Sequence, residues 1–465
     1  MLILRVANAA GHKSLWNNAL RSAYLHRRGI LTLAIETSCD DTSVAIVDKT
    51  TSSAKIHFLE NITCDSTAYQ GIHPLRALES HQENLASLVN KALSHLPRPE
   101  SEQGNRKLVT LSDGPRQKPD FISATRGPGM RANLFVGLDT AKALSVAWQI
   151  PFVGVHHMQA HLLTPRLVSA VSLSPDNKHI TPDFPFLSTL ASGGHTLLVT
   201  STSLTTHSIL ATTCDIALGE ALDKVAREIL PPSLLKSSKN TMYGKLLEQY
   251  AFPNGPADYK DYTAPRTRGE EIACAKRVSE YGWSLTTPLA QTRQLAFSFS
   301  FLATAVGKIL SKRSTTSTPL SDTERVALAR EAMRTCFEHL ASRTVIALDS
   351  LSSSNTESKQ PLPIKTLVVS GGVAANRFLM TVLRSFLDVR GFAHVRIVAP
   401  PPALCTDNAA MIGWAGIEMF EAGWRSELSV RALRKWSLDE SGDGDGGDDG
   451  DGAGGVLGVG GWVRV

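Results

Sequence analysis

Three stretches of the chain share one pattern: a short apolar run, a turn of small or polar residues, then renewed regular structure. They are LTLAIETSCDDTSVAIVD at 31–48, FLSTLASGGHTLLVT at 186–200 and TLVVSGGVAANRFLM at 366–380. The first two predict β-hairpins and the third a strand–turn–helix. Small residues at such turns let backbone N–H groups approach an anion closely. A single small-residue turn says little in a chain with 34 glycines, but three such turns, each after an apolar strand, carry more weight. At 465 residues the chain exceeds what one hydrophobic core serves, so two lobes are expected.

Composition narrows the class by exclusion. No run of 18 uncharged apolar residues occurs, so no spanning helix is expected. The six cysteines form no CxxC pair, which argues against a disulfide framework or a cysteine-based zinc module and fits a reducing compartment. The net charge of +5 combines +5 over residues 1–29 and −6 over 439–465, leaving a body at +6. A modestly basic body tolerates a polyanionic partner. The first 29 residues lack acids, and Leu15, Trp16, Ala19, Leu20, Ala23 and Tyr24 fall on one helical face, with Arg21 on the other. That is the pattern of a mitochondrial transit peptide, which predicts a mitochondrial location, with a disordered N-terminal extension as the alternative. Residues 439–465, rich in Gly and Asp, are expected to be disordered.

Between the strand motifs, Ser321, Asp322, Thr323 and Glu324 spell a capping box. It precedes Ala329, Met333, Cys336, Phe337 and Leu340, an apolar face at helical spacing. Loops are expected at 96–120, 169–185, 312–323 and 350–364. His157 and His161 lie four apart, so on a helix their imidazoles converge on one face and can share a cation. With 14 histidines in the chain, such spacing alone is weak. HMQAH also lacks the Glu of HExxH, which disfavours zincin proteolysis. Asp407, in CTDNAA, begins what reads as a helix, where it either caps or binds metal; the local sequence leaves both open. Two imidazoles and a carboxylate suit a divalent cation of borderline hardness. GPGMRA at 127–132 fits GxGxxA, but no Asp or Glu occurs between 140 and 175 to hold a ribose, so the dinucleotide reading fails. A Walker A loop is absent.

Taken together these segments resemble the TsaD family, the tRNA N6-adenosine threonylcarbamoyltransferases, and its organellar branch. The likeness runs through residues 31–438 in IETSCDDTSVAIVD, TRGPGMRANLFVGLDTAKALS, PFVGVHHMQAHLLTPRL, ASGGHT, LGEALDKVARE, FSFS, VVSGGVAANR, CTDNAAMIGWAG and RKWSLD. It implies the actin-like, sugar-kinase-like (ASKHA) α/β fold, two-lobed, with a nucleotide cleft between the lobes. The expected organisation is a transit peptide at 1–29, an N-terminal lobe at 30–185, a C-terminal lobe at 186–404, a helical return to the first lobe at 405–438, and the acidic tail at 439–465. The implied reaction moves a threonylcarbamoyl group from threonylcarbamoyl-adenylate to N6 of adenosine 37, in mitochondrial tRNAs reading codons that begin with A.

By motif position the resemblance implies His157, His161 and Asp407 as metal ligands. It implies Leu190, Ala191, Ser192, Gly193, Gly194, Asp223, Gly244 and Asn376 as substrate-binding residues. One divalent cation per subunit, zinc or iron, is expected, with a homodimer, a separate synthase supplying the adenylate, and a matrix location. Asp40 and Asp41, at the first hairpin turn, are candidates for removing the proton from the amine, with turn stabilisation as the alternative. The sequence departs from the family in three places: Asp41 replaces a Glu, Phe301 and Ala303 replace the Gly and Lys of FSGLKT, and MYGK at 242–245 replaces PGGP, sparing only Gly244. Two other readings predict different behaviour. A metal-dependent endopeptidase needs a general base beside the metal. A non-catalytic actin-like nucleotide-binding regulator tolerates loss of the metal ligands.

Overall fold

The computed structural model describes residues 29–51, 53–66, 69, 72–99, 107–173, 179–237, 243–315, 320–353, 361–441 and 454–465. The chain divides into two compact units. One comprises residues 1–64, 72–182 and 407–465, and the other residues 65–71 and 183–406. The transitions at 182/183 and 406/407 compare with 185/186 and 404/405 expected from sequence. The transit-peptide reading of 1–29 lies outside the described residues apart from Gly29.

The first unit opens on β1 (Ile30–Glu36), β2 (Asp41–Lys49) and β3 (Ala54–Thr63), joined as an antiparallel meander. β1 is buried along its whole length, as its unbroken apolar run requires of a central strand. Helix α1 (Pro74–Leu93) follows, then a small hairpin of β4 (Leu108–Leu111) and β5 (Gly114–Gln117), inside a stretch expected to be loop. Four-residue strands flanking Asp113-Gly114 are too short to leave an alternating signature. β6 (Phe121–Gly127), α2 (Arg131–Trp148) and β7 (Phe152–His156) add two parallel strands, giving the order β3-β2-β1-β6-β7. Helix α3 (His157–Val171) leaves directly from β7.

The second unit repeats this plan. β8 (Phe186–Ala191), β9 (Thr196–Ser201) and β10 (His207–Thr212) form an antiparallel meander. Helix α4 (Leu218–Ile229), α5 (Ser300–Thr315) and the long α6 (Asp322–Ser352) follow. β11 (Thr366–Ser370), α7 (Arg377–Val389) and β12 (Arg396–Val398) complete a sheet of order β10-β9-β8-β11-β12. Two sheets with the same order and the same mixture of directions are the duplicated core of the actin-like fold. The face predicted for α6 is fully buried at Ala329, Met333, Cys336, Phe337 and Leu340. The capping box forms by half: Ser321 accepts from Glu324 N, but the Glu324 carboxylate turns instead to Trp283 and Arg313. Helices α5 and α6 also run into stretches expected to be loop, to 315 and 352.

The chain then re-enters the first unit as α8 (Ala409–Glu421), buried on nearly every side. Only this part of the return is helical. β13 (Trp424–Ser426) and irregular chain occupy the rest, up to 438. The expectation of disorder across 439–465 is corrected at its end. Residues 454–465 are ordered, β14 (Trp462–Arg464) pairs with β13, and Val456 is fully buried. The acids that suggested disorder all precede 454, whereas Val456 and Trp462 provide apolar surface to anchor the last turn of chain. All six cysteines are free thiols, and no helix among the described residues is long and apolar enough to cross a membrane.

Candidate metal centre and substrate cradle

The parallel strands of the first sheet end in polar residues. Glu36 closes β1, Thr125 lies near the end of β6, and His156 closes β7. His156 caps α3, its Nδ1 accepting from Met158 N and Gln159 N. His157 is therefore the first helical residue and His161 sits one turn on, both imidazoles buried and edge-on with centroids 4.8 Å apart. Of the two roles left open for Asp407, the capping one falls to its neighbour. Asn408 caps α8, accepting from Met411 N, while Asp407 Oδ1 lies 3.0 Å from His161 Nε2 and 3.5 Å from His157 Nε2. The Asp407 carbonyl accepts from Asn61 Nδ2, and Ala409 N donates to Ser43 Oγ, so the approach to α8 is tied to β2 and β3. The three side chains offer donor atoms all within 4.8 Å of one another.

Behind the donors stands a carboxylate that sequence reading missed. Glu36, with no exposed surface, lies 3.1 Å through Oε2 from His157 Nδ1 and also accepts from Ser38 N and Thr125 Oγ1. Ser38 Oγ is 3.2 Å from the same His157 nitrogen. A proton on Nδ1 directed at Glu36 leaves the Nε2 lone pair facing Asp407, the tautomer a metal needs. Burial disfavours charge on His157, but Asp407 and Glu36 outweigh it and hold the pKa at about 9. The pocket thus demands positive charge. Two imidazoles and a carboxylate suit a first-row divalent ion by their chemistry, and the two contacts of Asp407, at 3.0 and 3.5 Å, lie near the ~3.0–3.4 Å between adjacent ligands with bonds of ~2.1 Å. The signal for Glu36 was present in the sequence: it is the one charged residue in the buried run ILTLAIE.

Asp40 and Asp41 lie in the turn between β1 and β2. Asp41 accepts from Thr63 Oγ1. Burial first, and then the negative charges of Asp40, Asp407 and Glu36, raise Asp41 to about 7. Burial likewise raises Asp40. The turn is gripped from α1 and α2, where His81 Nε2 and Asn133 Nδ2 both donate to the Cys39 carbonyl. The glycines of the rejected GxGxxA match serve packing. A Cβ on Gly127 would lie 2.2 Å from the Leu433 carbonyl oxygen, and one on Gly129 would lie 2.8 Å from Ser38.

The proposed substrate residues all belong to the second unit. Leu190 and Ala191 end β8, and Ser192 Oγ accepts from Gly194 N and His195 N across the turn. A Cβ on Gly193 or Gly194 would meet nothing within 4 Å, so no protein contact demands glycine there. Gly219, in the first turn of α4, donates to the Ser192 carbonyl, and Gly371 (φ +93°) abuts the Ala191 carbonyl. Asp223 and Gly244 come together: Gly244 N donates to Asp223 Oδ1 at 2.6 Å, and burial leads in raising the Asp223 carboxyl to about 6. Asn376 is differently engaged. Its Oδ1 caps α7 by accepting from Leu379 N, so the side chain is a buried helix cap. The altered FSFS segment is held by Asp215, which accepts from the hydroxyls of Ser298 and Ser300 and from Phe299 N.

Comparison with known proteins gives the family. The family model for TsaD, tRNA N6-adenosine threonylcarbamoyltransferase, matches residues 57–414. The mitochondrial tRNA N6-adenosine threonylcarbamoyltransferase of Schizosaccharomyces pombe is 36% identical over 442 residues, covering 91% of this chain and 90% of its own. The enzyme of the same name from Bartonella bacilliformis is 33% identical over 418 residues, covering 88% and 95%. Solved structures are more distant: HypF of T. kodakarensis is 12% identical with a TM-score of 0.43, over 84% of this chain and 48% of that one. The fold assignment therefore rests on the strand orders above, and the family on the sequence matches: the chain belongs to the TsaD family of tRNA N6-adenosine threonylcarbamoyltransferases.

Proposed function

We propose that the chain transfers the threonylcarbamoyl group of threonylcarbamoyl-adenylate to N6 of adenosine 37 in mitochondrial tRNAs that read codons beginning with A. The observation that carries this reading is the meeting of His157, His161 and Asp407, backed by Glu36, in a chain of this family. These three side chains would hold one divalent cation, zinc or iron, which supplies Lewis-acid polarisation of the carbamoyl carbonyl. Leu190 to Gly194 and Gly244 would line the seat of the adenylate, with Gly193 and Gly194 leaving their Cβ side open. Asp223 retains acceptor capacity for ribose hydroxyls. Asn376, whose oxygen caps α7 and whose Nδ2 faces Met333 Sδ, would act by positioning the start of α7. Asp41, held at about 7, is matched to accepting the proton released by the attacking amine near neutral pH.

An endopeptidase reading finds less support. Glu36 faces His157 Nδ1, whereas a water-activating carboxylate belongs on the Nε2 side with Asp407. The adenylate must come from a separate synthase, because its formation requires a different activation step. A homodimer is consistent with Leu75 on α1 and with Phe135 and Val146 on α2, large apolar side chains exposed to solvent. A mitochondrial matrix location accords with the acid-free amphipathic start of the sequence and with the S. pombe relative's name. The test is mass spectrometry of mitochondrial tRNA nucleosides after gene loss and complementation. Threonylcarbamoyladenosine should vanish and return. Its persistence without this protein, where no second copy serves the organelle, overturns the reading.

A further inference from the structure

The ordered end of the chain reaches the metal centre through a series of contacts that the transfer chemistry does not use. Arg126, buried near the end of β6, donates through Nη1 to Gly460 O at 2.8 Å and through Nε to Arg431 O at 3.2 Å. Its guanidinium lies 5.5 Å from the centre of the Trp436 ring. Trp436 donates its indole N–H to Gly455 O at 3.0 Å, and Gly455 N donates back to Ser437 O at 3.1 Å. Glu427 N donates to Gly461 O, and a Cβ on Gly461 would lie 2.2 Å from Val430 Cγ1, so the tail backbone seats directly on the chain beneath it.

On its other side Trp436 touches His156. The ring centroids are 4.4 Å apart, and the Trp436 carbonyl lies 3.1 Å from His156 Nε2. A carbonyl only accepts, so that bond places the imidazole proton on Nε2. Nδ1 is then an acceptor, as it must be to cap Met158 N and Gln159 N. The capped turn begins with His157, and His161 follows one turn on.

We infer that residues 454–461 form a clasp that positions the metal ligands: through Trp436 they fix the orientation of His156, and through His156 the first turn of α3. Trp436 and His156 are positioning residues in this scheme, and the inference rests on the metal reading for its consequence though not for its geometry. A chain ending at Ser441 and the variant Trp436→Phe, which keeps a ring but loses the bond to Gly455, test it against the full chain. Two readouts are taken: hydrogen exchange of the amides at 158–161, and zinc affinity by competition with a chromophoric chelator. In the truncated chain, exchange at Met158 and Gln159 should quicken about tenfold while β8 and β11 keep their protection. Zinc should bind about tenfold more weakly, as outer-shell losses generally cause. Trp436→Phe should shift both readings in the same direction by less. Unchanged exchange at 158–161 in both variants, even with a lowered thermal midpoint, overturns the clasp and leaves the tail merely stabilising. Failure of the full chain to bind zinc counts against zinc as the metal, while the exchange readout still decides the clasp. If the truncated chain does not fold, Trp436→Phe alone decides.

Discussion

A carboxylate with no exposed surface, Glu36, ends a strand whose other residues are almost all apolar. Charge so placed must be matched, and the match is His157 together with the Thr125 hydroxyl and the Ser38 amide. Glu36→Gln keeps the shape and an acceptor but removes the charge that holds the imidazole. Metal affinity should fall 10- to 100-fold, about what loss of an outer-shell partner costs. Chelator competition measures this, and affinity within twofold of the parent contradicts the assigned role. Asp223 makes the opposite demand. Its folded pKa of about 6 lies above the ordinary 3.8, so the unfolded chain ionises first as pH rises and the ionised group opposes folding above about 6. Asp223→Asn should therefore raise the melting temperature at pH 7.5, with the gain fading as pH falls toward 3.8. In the parent, adenylate binding should weaken as pH falls through 6, and the variant should bind weakly at every pH. A variant that binds as tightly as the parent removes Asp223 from the substrate cradle.

Helix α8 is the element that brings Asp407 to the histidines, and it does so by lying unusually close to the sheet. A Cβ on Gly413 would stand 2.9 Å from Val47 Cγ2, and one on Gly416 would stand 2.8 Å from Ser123 Cβ. The buried pair Arg166–Glu418, 2.8 Å apart, ties α3 to α8. Gly416→Val should cost about 1–3 kcal/mol by overpacking, read from chemical denaturation, and a parental midpoint refutes the close approach. Much at this scale is legible in sequence. The hairpins at 31–48 and 186–200, the strand–turn–helix at 366–380 and the buried face of α6 follow from local periodicity and turn chemistry, which a linear reading captures. Other features depend on partners far along the chain. That Asn408 caps and Asp407 does not is decided by His157 and His161, 246 or more positions away. Glu36 has meaning only beside His157, and the fate of 454–465 only beside Arg126 and Trp436. Composition misled at the tail because seven acids among glycines precede a short apolar anchor.

At the scale of the whole molecule, one plan is used twice. The first copy ends its central strands in Glu36, Thr125 and His156 and carries the candidate metal donors; the second ends its own in small-residue turns where the proposed substrate residues lie. The resemblance to the TsaD family was readable because its motifs mark these strand ends in order. Its altered FSFS and MYGK segments were harder, since their support comes from Asp215 and Asp223, outside each motif. The central claim is that His157, His161 and Asp407 grip the ion on which threonylcarbamoyl transfer depends. It is tested most directly by incubating the purified protein with threonylcarbamoyl-adenylate and unmodified tRNA, then measuring threonylcarbamoyladenosine by mass spectrometry of the digested tRNA. The full chain should form the modified nucleoside, lose that activity to a chelator and regain it with a divalent cation, and His161→Ala should form at most about one hundredth as much while remaining folded. Undiminished product from folded His161→Ala contradicts the account.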